Sequence, residues 1–192
     1  MDDIQEVIQR LRSVEEVQQV MLNDMREVVR SCSRTISRLH RGEPLSDDRL
    51  NEIMERLNTL RMNAEKYPTF LNYLIHAEQE YVELMIVRSV LNRLDIPGSK
   101  ELGVDLRSYL LGMMDAISEL RRDLLDMIRN GDLNTAEYIF SKMTEMYEWS
   151  QPIVFTDSVL HGFRGKQDVA RRAVEQARSE LTLARLLNTR ER

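Results

Sequence analysis

Apolar residues recur along this chain at three- and four-residue steps, the period of an amphipathic helix. From residue 3 to 41 the series runs Ile4, Val7, Leu11, Val14, Val17, Met21, Met25, Val28, Cys32, Ile36 and Leu39. Gly42 and Pro44 close it, because glycine accepts a left-handed turn and proline lacks the amide hydrogen that a helix needs. Ser46 stands where it would cap a second helix, with Asp47 and Asp48 at the positive end of the helix dipole. The stripe Leu50, Ile53, Met54, Leu57 and Leu60 carries that helix to Tyr67-Pro68. The stretch from Phe70 to Leu94 contains neither Pro nor Gly and is apolar on most sides. It predicts a helix of about 25 residues, roughly 38 Å long, which stops at Asp95-Ile-Pro-Gly-Ser.

A fourth helix is predicted over 104–129, followed by a turn at Asn130-Gly131-Asp132. Asn134 or Thr135 then caps a helix that reaches about Trp149 and breaks at Pro152. A short helical piece is expected near Asp157–His161, and a last helix from Lys166 to about Asn188. Strand-like alternation is absent. The expected class is all-α, one domain over 1–192, a bundle of six to seven helices. The first helix alone would run to about 58 Å, more than a compact domain of this size needs. An overhang of that kind usually packs on a second subunit, so a homo-oligomer is expected.

Composition narrows the function. The chain has 192 residues, 42% hydrophobic and 31% charged, with a formal net charge of −5. Its surface is therefore not broadly basic. With a single cysteine, Cys32, an internal disulfide and a cysteine-based zinc site are both excluded. Cys32 falls on the apolar stripe of the first helix and reads as a core residue. The N-terminus has no signal-like apolar region, and no apolar run is of membrane-spanning length; the chain is read as cytoplasmic. Of 27 basic residues only Lys66, Lys100, Lys142 and Lys166 are lysines. Arginine suits bidentate phosphate contacts. Arg26, Arg30, Arg34, Arg38 and Arg41 form a basic strip on the first helix that could follow a phosphate backbone, or could equally be a solvated or intersubunit face. Arg121, Arg122, Arg171 and Arg172 are further candidates.

The chemistry that stands out is acidic. On the third helix His76, Glu80 and Glu83 are spaced i, i+4, i+7 and share a face. Carboxylates on a mostly apolar helix are costly unless a cation meets them. On the fourth helix Asp115 and Glu119 share a face with Ser108, Gly112 and Arg122, and the small residues leave room beside Asp115. The two pairs could converge on a hard divalent cation such as Mg²⁺ or Mn²⁺, which prefers oxygen ligands; each pair alone could equally be a salt-bridged surface. None of the three histidines has Glu three residues before it, which excludes the Glu-x-x-His di-iron pattern. All-α nucleotide pyrophosphohydrolases use Glu-x-x-Glu followed by Glu-x-x-Asp. Glu80 and Glu83 match the first half, but Arg122 stands where the second needs Asp.

Four segments in register resemble the translin/TRAX (translin-associated factor X) family. Gln79-Glu-Tyr-Val-Glu83-Leu is similar to its QEYVEA segment, and the stretch Asp105–Arg122 to its VDYLLG segment. Asn130-Gly-Asp-Leu-Asn-Thr135 is similar to NGDIDT, and Arg34-Thr-Ile-Ser-Arg-Leu-His-Arg41 to RTIFLLHR. The likeness covers most of the chain, is weakest after Pro152, and lacks the long insertion that factor X proteins often carry. It implies a translin-like fold of about seven helices in a closed assembly, typically an octamer, that holds RNA or single-stranded DNA. Factor X subunits carry a metal-dependent endoribonuclease site, whereas translin subunits lack part of the acidic set and mainly bind nucleic acid. By resemblance the catalytic, metal-holding residues would be Glu80, Glu83, Asp115 and Glu119, with Mg²⁺ or Mn²⁺. Nucleic acid would meet Arg30, Arg34, Arg38, Arg41, Arg122, Arg171 and Arg172. The competing readings are a non-catalytic nucleic-acid-binding shell, with or without a translin-like partner, a nucleotide pyrophosphohydrolase and a purely structural bundle.

Overall fold

The computed structural model describes residues 3–190. Among them the helices are α1 (Ile4–Leu39), α2 (Asp47–Lys66), α3 (Leu71–Leu91), α4 (Ser99–Leu102), α5 (Leu106–Arg129), α6 (Leu133–Ser150) and α7 (Phe163–Arg190), with one 3₁₀ turn at Pro68–Phe70 and no strand. The expected all-α class is what the chain adopts. Helices α1, α2 and α3 pack on one another, as do α5, α6 and α7, and the two groups meet along α3 and α5. That seam is apolar: Val82, Leu84, Ile86 and Val87 of α3 and Met114, Ile117, Leu120 and Leu124 of α5 are all sealed from solvent. Each such side chain contributes about 1.5–3 kcal/mol.

Local chemistry sets the ends. At Gly42, with φ +76°, the amides of Gly42 and Glu43 turn back to the carbonyls of Leu39 and Arg38, and α1 stops. The Asn130-Gly131-Asp132 turn serves two helices. Gly131, with φ +78°, closes α5, and Asp132 accepts the Thr135 amide at 3.0 Å to open α6. The N-cap of α6 is thus Asp132, not Asn134 or Thr135. Ser46 sits at the start of α2 in extended conformation, but its side chain makes no capping bond.

Three expectations are corrected. The third helix ends at Leu91, because Arg93 turns left-handed (φ 54°) and the Leu94 amide reaches back to Ser89. Residues 157–161 form turns, not a helical piece. Asp157 Oδ1 takes the Gly162 amide at 2.8 Å, so the backbone closes on a side chain and not on the next helical turn. The last helix starts at Phe163, whose ring is buried, and runs through Gly165.

The stripe of α1 divides in two. Met21, Val28, Cys32, Ile36 and Leu39 are buried, whereas Ile4 and Leu11 stand 65% and 64% exposed. The first half of this helix, roughly 54 Å long in all, projects its apolar side into solvent.

Candidate carboxylate site

The site is built on the α3–α5 crossing. Gly112 faces the α3 backbone so closely that a Cβ there would lie 2.4 Å from the Gln79 carbonyl oxygen and 2.8 Å from Val82 Cβ. The small residue therefore makes room for α3, not for a ligand beside Asp115. Ser108, one turn earlier, is fully buried with no partner for its hydroxyl.

This close approach brings Glu80 and Glu83 of α3 into the field of Asp115 and Glu119 of α5. Glu83 is raised to about 8, first by burial and then by Glu80, Asp115 and Glu119. Glu80 is raised too, by burial above all, with His76 opposing and Asp115 adding to the rise. Among the described residues neither carboxylate has a hydrogen bond or ion pair. Cys32 of α1 lies beside them, fully buried as expected, its thiol pushed up by burial and by both acids.

Two cations that the sequence reading did not place complete the picture. Lys166, in the first turn of α7, sets its ammonium 2.6 Å from Asp115 Oδ1 and 2.7 Å from Oδ2. Gln79 Nε2 donates to the same Oδ2 at 2.7 Å. His40, just past the end of α1, bridges two acids of α5: Nε2 is 2.7 Å from Glu119 Oε1 and Nδ1 is 2.7 Å from Asp123 Oδ1. Its imidazole is 2% exposed. The bonds to Asp123 and Glu119 raise His40 to about 9, against the opposing effect of burial, so the ring is protonated at neutral pH. Glu119 is lowered in turn, by the His40 hydrogen bond first and with Arg122 contributing. The four expected acids therefore fall into two groups: Glu80, Glu83 and Asp115 around Lys166, and Glu119 with Asp123 around His40. Among the described residues no three His, Cys, Asp or Glu side chains stand as a ready ion cage in this ion-free arrangement. Lys166 contacts Asp115 and His40 contacts Glu119. The donor set fits a hard divalent cation in kind, since Glu80 and Glu83 are half-buried oxygen donors with no ion pair among the described residues.

His76 is exposed and acts on Glu80 only through its charge. Glu78, two residues before Glu80, points elsewhere: it takes Arg61 Nε and the Asp105 amide, each at 3.1 Å, tying α2 to α3 and the start of α5. Sequence signals for Lys166 and His40 were thin, a lone lysine among arginines and a histidine at a helix end.

The expected arginines differ in their partners. Arg30 pairs with Glu27, while Arg38 and Arg41 both hold Glu43. Arg34 is exposed and has no ion-pair partner among the described residues. Arg122 is exposed beside Glu119. Arg171 and Arg172 lie on α7, in the other helix group, where Arg171 stands 3.6 Å from both Asp168 and Glu175 and Arg172 bonds the Asp168 carbonyl. Of the other two basic candidates, Arg26 is exposed, and Arg121 is paired with Glu180.

No family model matches the chain. It is 31% identical over 184 residues, 94% of its length and 82% of the relative's, to an uncharacterized protein of Methanocaldococcus jannaschii. Among solved structures it is similar to the archaeal AfC3PO, with TM-score 0.84 and 26% identity over 96% of this chain and 97% of that one. A second AfC3PO structure, in complex with duplex RNA, matches with TM-score 0.81 and 25% identity over 96% and 97%. The chain belongs to the translin/TRAX family. The Nematostella NeC3PO in its apo form, 20% identical with TM-score 0.81 over 96% and 98%, shares the translin fold. For this translin-family chain the match extends past Pro152, where the sequence resemblance is weakest.

Proposed function

We propose that this chain is a metal-dependent endoribonuclease whose active site is the carboxylate group of α3 and α5. The observation that carries the reading is Glu83. It is a half-buried carboxylate with no hydrogen bond, driven to about 8 by burial and by three other carboxylates, in a family member whose structural relative AfC3PO has been solved with duplex RNA. Such a group is costly as it stands and becomes favourable when a cation arrives.

Glu80, Glu83 and Asp115 would hold the ion, with Glu119 beside them through the carboxylate oxygen that His40 leaves open. A bound Mg²⁺ or Mn²⁺ supplies an acidified water and charge stabilisation at a phosphate. The residues themselves do the rest. Glu83 Oε keeps a proton near neutral pH in the ion-free protein. Glu80, raised above the ordinary carboxylate range, is a better proton acceptor than an exposed glutamate. Arg122 and Arg34 have guanidinium groups exposed and uncommitted to a neighbouring carboxylate's hydrogen bond, and so are available to phosphates.

The exposed apolar residues at the start of α1, with Leu183, Leu186 and Leu187 near the end of α7, support a homo-oligomer, which the family resemblance makes an octamer with RNA inside. Among the described residues no helix is long and apolar enough to cross a membrane. A second reading, a binding shell without catalysis, is favoured by the Lys166–Asp115 pair, which already neutralises one of the acids. Cleavage of labelled RNA with Mg²⁺, Mn²⁺ or EDTA separates the two. Cleavage that needs the ion supports the enzyme, and RNA retention without cleavage under all three conditions supports the shell.

A further inference from the structure

We infer that Lys166 is a tethered placeholder for the divalent cation. It neutralises Asp115 in the ion-free protein and must leave that carboxylate for an ion to bind. The inference rests on the ion-binding reading above and adds a residue that this reading did not contain.

The geometry is specific. Lys166 is one of four lysines in the chain, and it reaches both oxygens of Asp115, at 2.6 and 2.7 Å. Gln79 donates to Oδ2 as well, so three contacts fall on the two oxygens of Asp115. The same ammonium opposes the rise of both Glu80 and Glu83; it lies in the field of all three acids. Neither glutamate has a hydrogen bond of its own, so one monovalent charge serves three carboxylates.

The tether can release. Lys166 lies in the first turn of α7, four residues beyond Gly162, whose φ of +75° marks the end of the preceding turn. The Lys166 and Asp115 side chains are 32% and 25% exposed, so the ammonium has water to move into. Lysine suits such a task better than arginine, because a point charge on a four-carbon stem holds no fork geometry. In the Glu78–Arg61 pair, by contrast, the acid is only 3% exposed. A charge of +2 outcompetes +1 among several carboxylates. Once displaced, the ammonium stays near the site and can meet a phosphate oxygen.

The test is Mn²⁺ binding, read by electron paramagnetic resonance on the full-length protein, for the wild type, Lys166→Met, Lys166→Gln and Glu83→Gln. Removing the competing charge is expected to tighten Mn²⁺ by about tenfold or more in both Lys166 variants, and Glu83→Gln to weaken it. Thermal melts give a second readout. In EDTA the Lys166 variants are expected to melt below the wild type, and Mn²⁺ to restore them by a larger increment than it adds to the wild type. Mn²⁺ affinity that is unchanged or weaker in both Lys166 variants, with the wild type binding normally, overturns the placeholder and leaves the ion reading standing. Absence of Mn²⁺ binding in every protein overturns the ion reading, and the placeholder with it.

Discussion

A methyl group on Gly112 of α5 would lie 2.4 Å from the carbonyl oxygen of Gln79 on α3. No real side chain tolerates that contact, and the listener here is backbone, which cannot rotate away. The close crossing of the two helices, and hence the meeting of Glu80 and Glu83 with Asp115, depends on this glycine. Gly112→Ala is expected to destabilise the fold by about 1–3 kcal/mol through overpacking, even though alanine favours helices. Because α3 must shift, Mn²⁺ affinity and RNA cleavage should fall with it. Urea unfolding beside a binding titration checks both; a variant as stable as the wild type would show that the helices separate without cost.

Asp115→Asn removes a charge from the proposed site while keeping its size. RNA cleavage is expected to fall by orders of magnitude, and RNA binding to hold or improve. The partner of Asp115 is Lys166, not Arg121 or Arg122: Arg121 pairs with Glu180 and Arg122 is exposed. Stability in EDTA therefore balances a lost ion pair against relief of repulsion on Glu83, a net change within about 1 kcal/mol. Single-turnover cleavage at saturating RNA measures the first effect. Undiminished cleavage would remove Asp115 from the active site.

His40 closes a different circuit. Replacing it with Gln leaves Asp123 buried beside a neutral amide, with its Oδ2 already unpartnered, and is expected to cost about 3–5 kcal/mol. The pH dependence follows with the same sign from two groups. His40 is raised from 6.5 to about 9, and its contribution to stability is complete below 6.5 and lost as pH rises through 9. Glu83 is an acid raised from 4.5 to about 8, so the folded state again binds the extra proton, and stability declines as pH rises from 4.5 through 8. In EDTA the wild type should therefore lose stability steadily from about pH 5 to pH 9, and His40→Gln should flatten the upper part of that decline. Denaturation at a series of pH values, with and without Mn²⁺, reads both.

Arg34, like Arg26, is an arginine of the α1 strip that no carboxylate holds among the described residues. Arg34→Glu should weaken RNA binding and reduce the slope of log affinity against log salt by about 1. Arg38→Glu should do less to RNA than to the Gly42 turn, because Arg38 and Arg41 share Glu43 there. Filter binding across a salt series separates the two. Equal affinity for Arg34→Glu and wild type would move the nucleic-acid surface off α1.

The all-α class, the six long helices and most of their boundaries were legible in the chain, because they follow from near-neighbour chemistry: a 3.6-residue apolar period, and glycine, proline and aspartate at the ends; the short α4 was not read, and the piece expected at 157–161 is turns. The same period put Glu80 and Glu83 on one face and Asp115 and Glu119 on another, and the short motifs around them carried the family. The partners of those acids could not be read this way. Lys166 lies 51 positions from Asp115, and His40 lies 79 from Glu119. Nothing local distinguishes those two cations from the other basic residues until α7 and the end of α1 are packed against α5. Gly112 was read as space for a ligand, since sequence shows that a residue is small but not what fills the gap. The sequence by itself determined which helices form and which faces carry acid. Only the tertiary structure decided which charge each acid meets, because Coulomb energies depend on separation in space and on burial, and neither is a property of chain position.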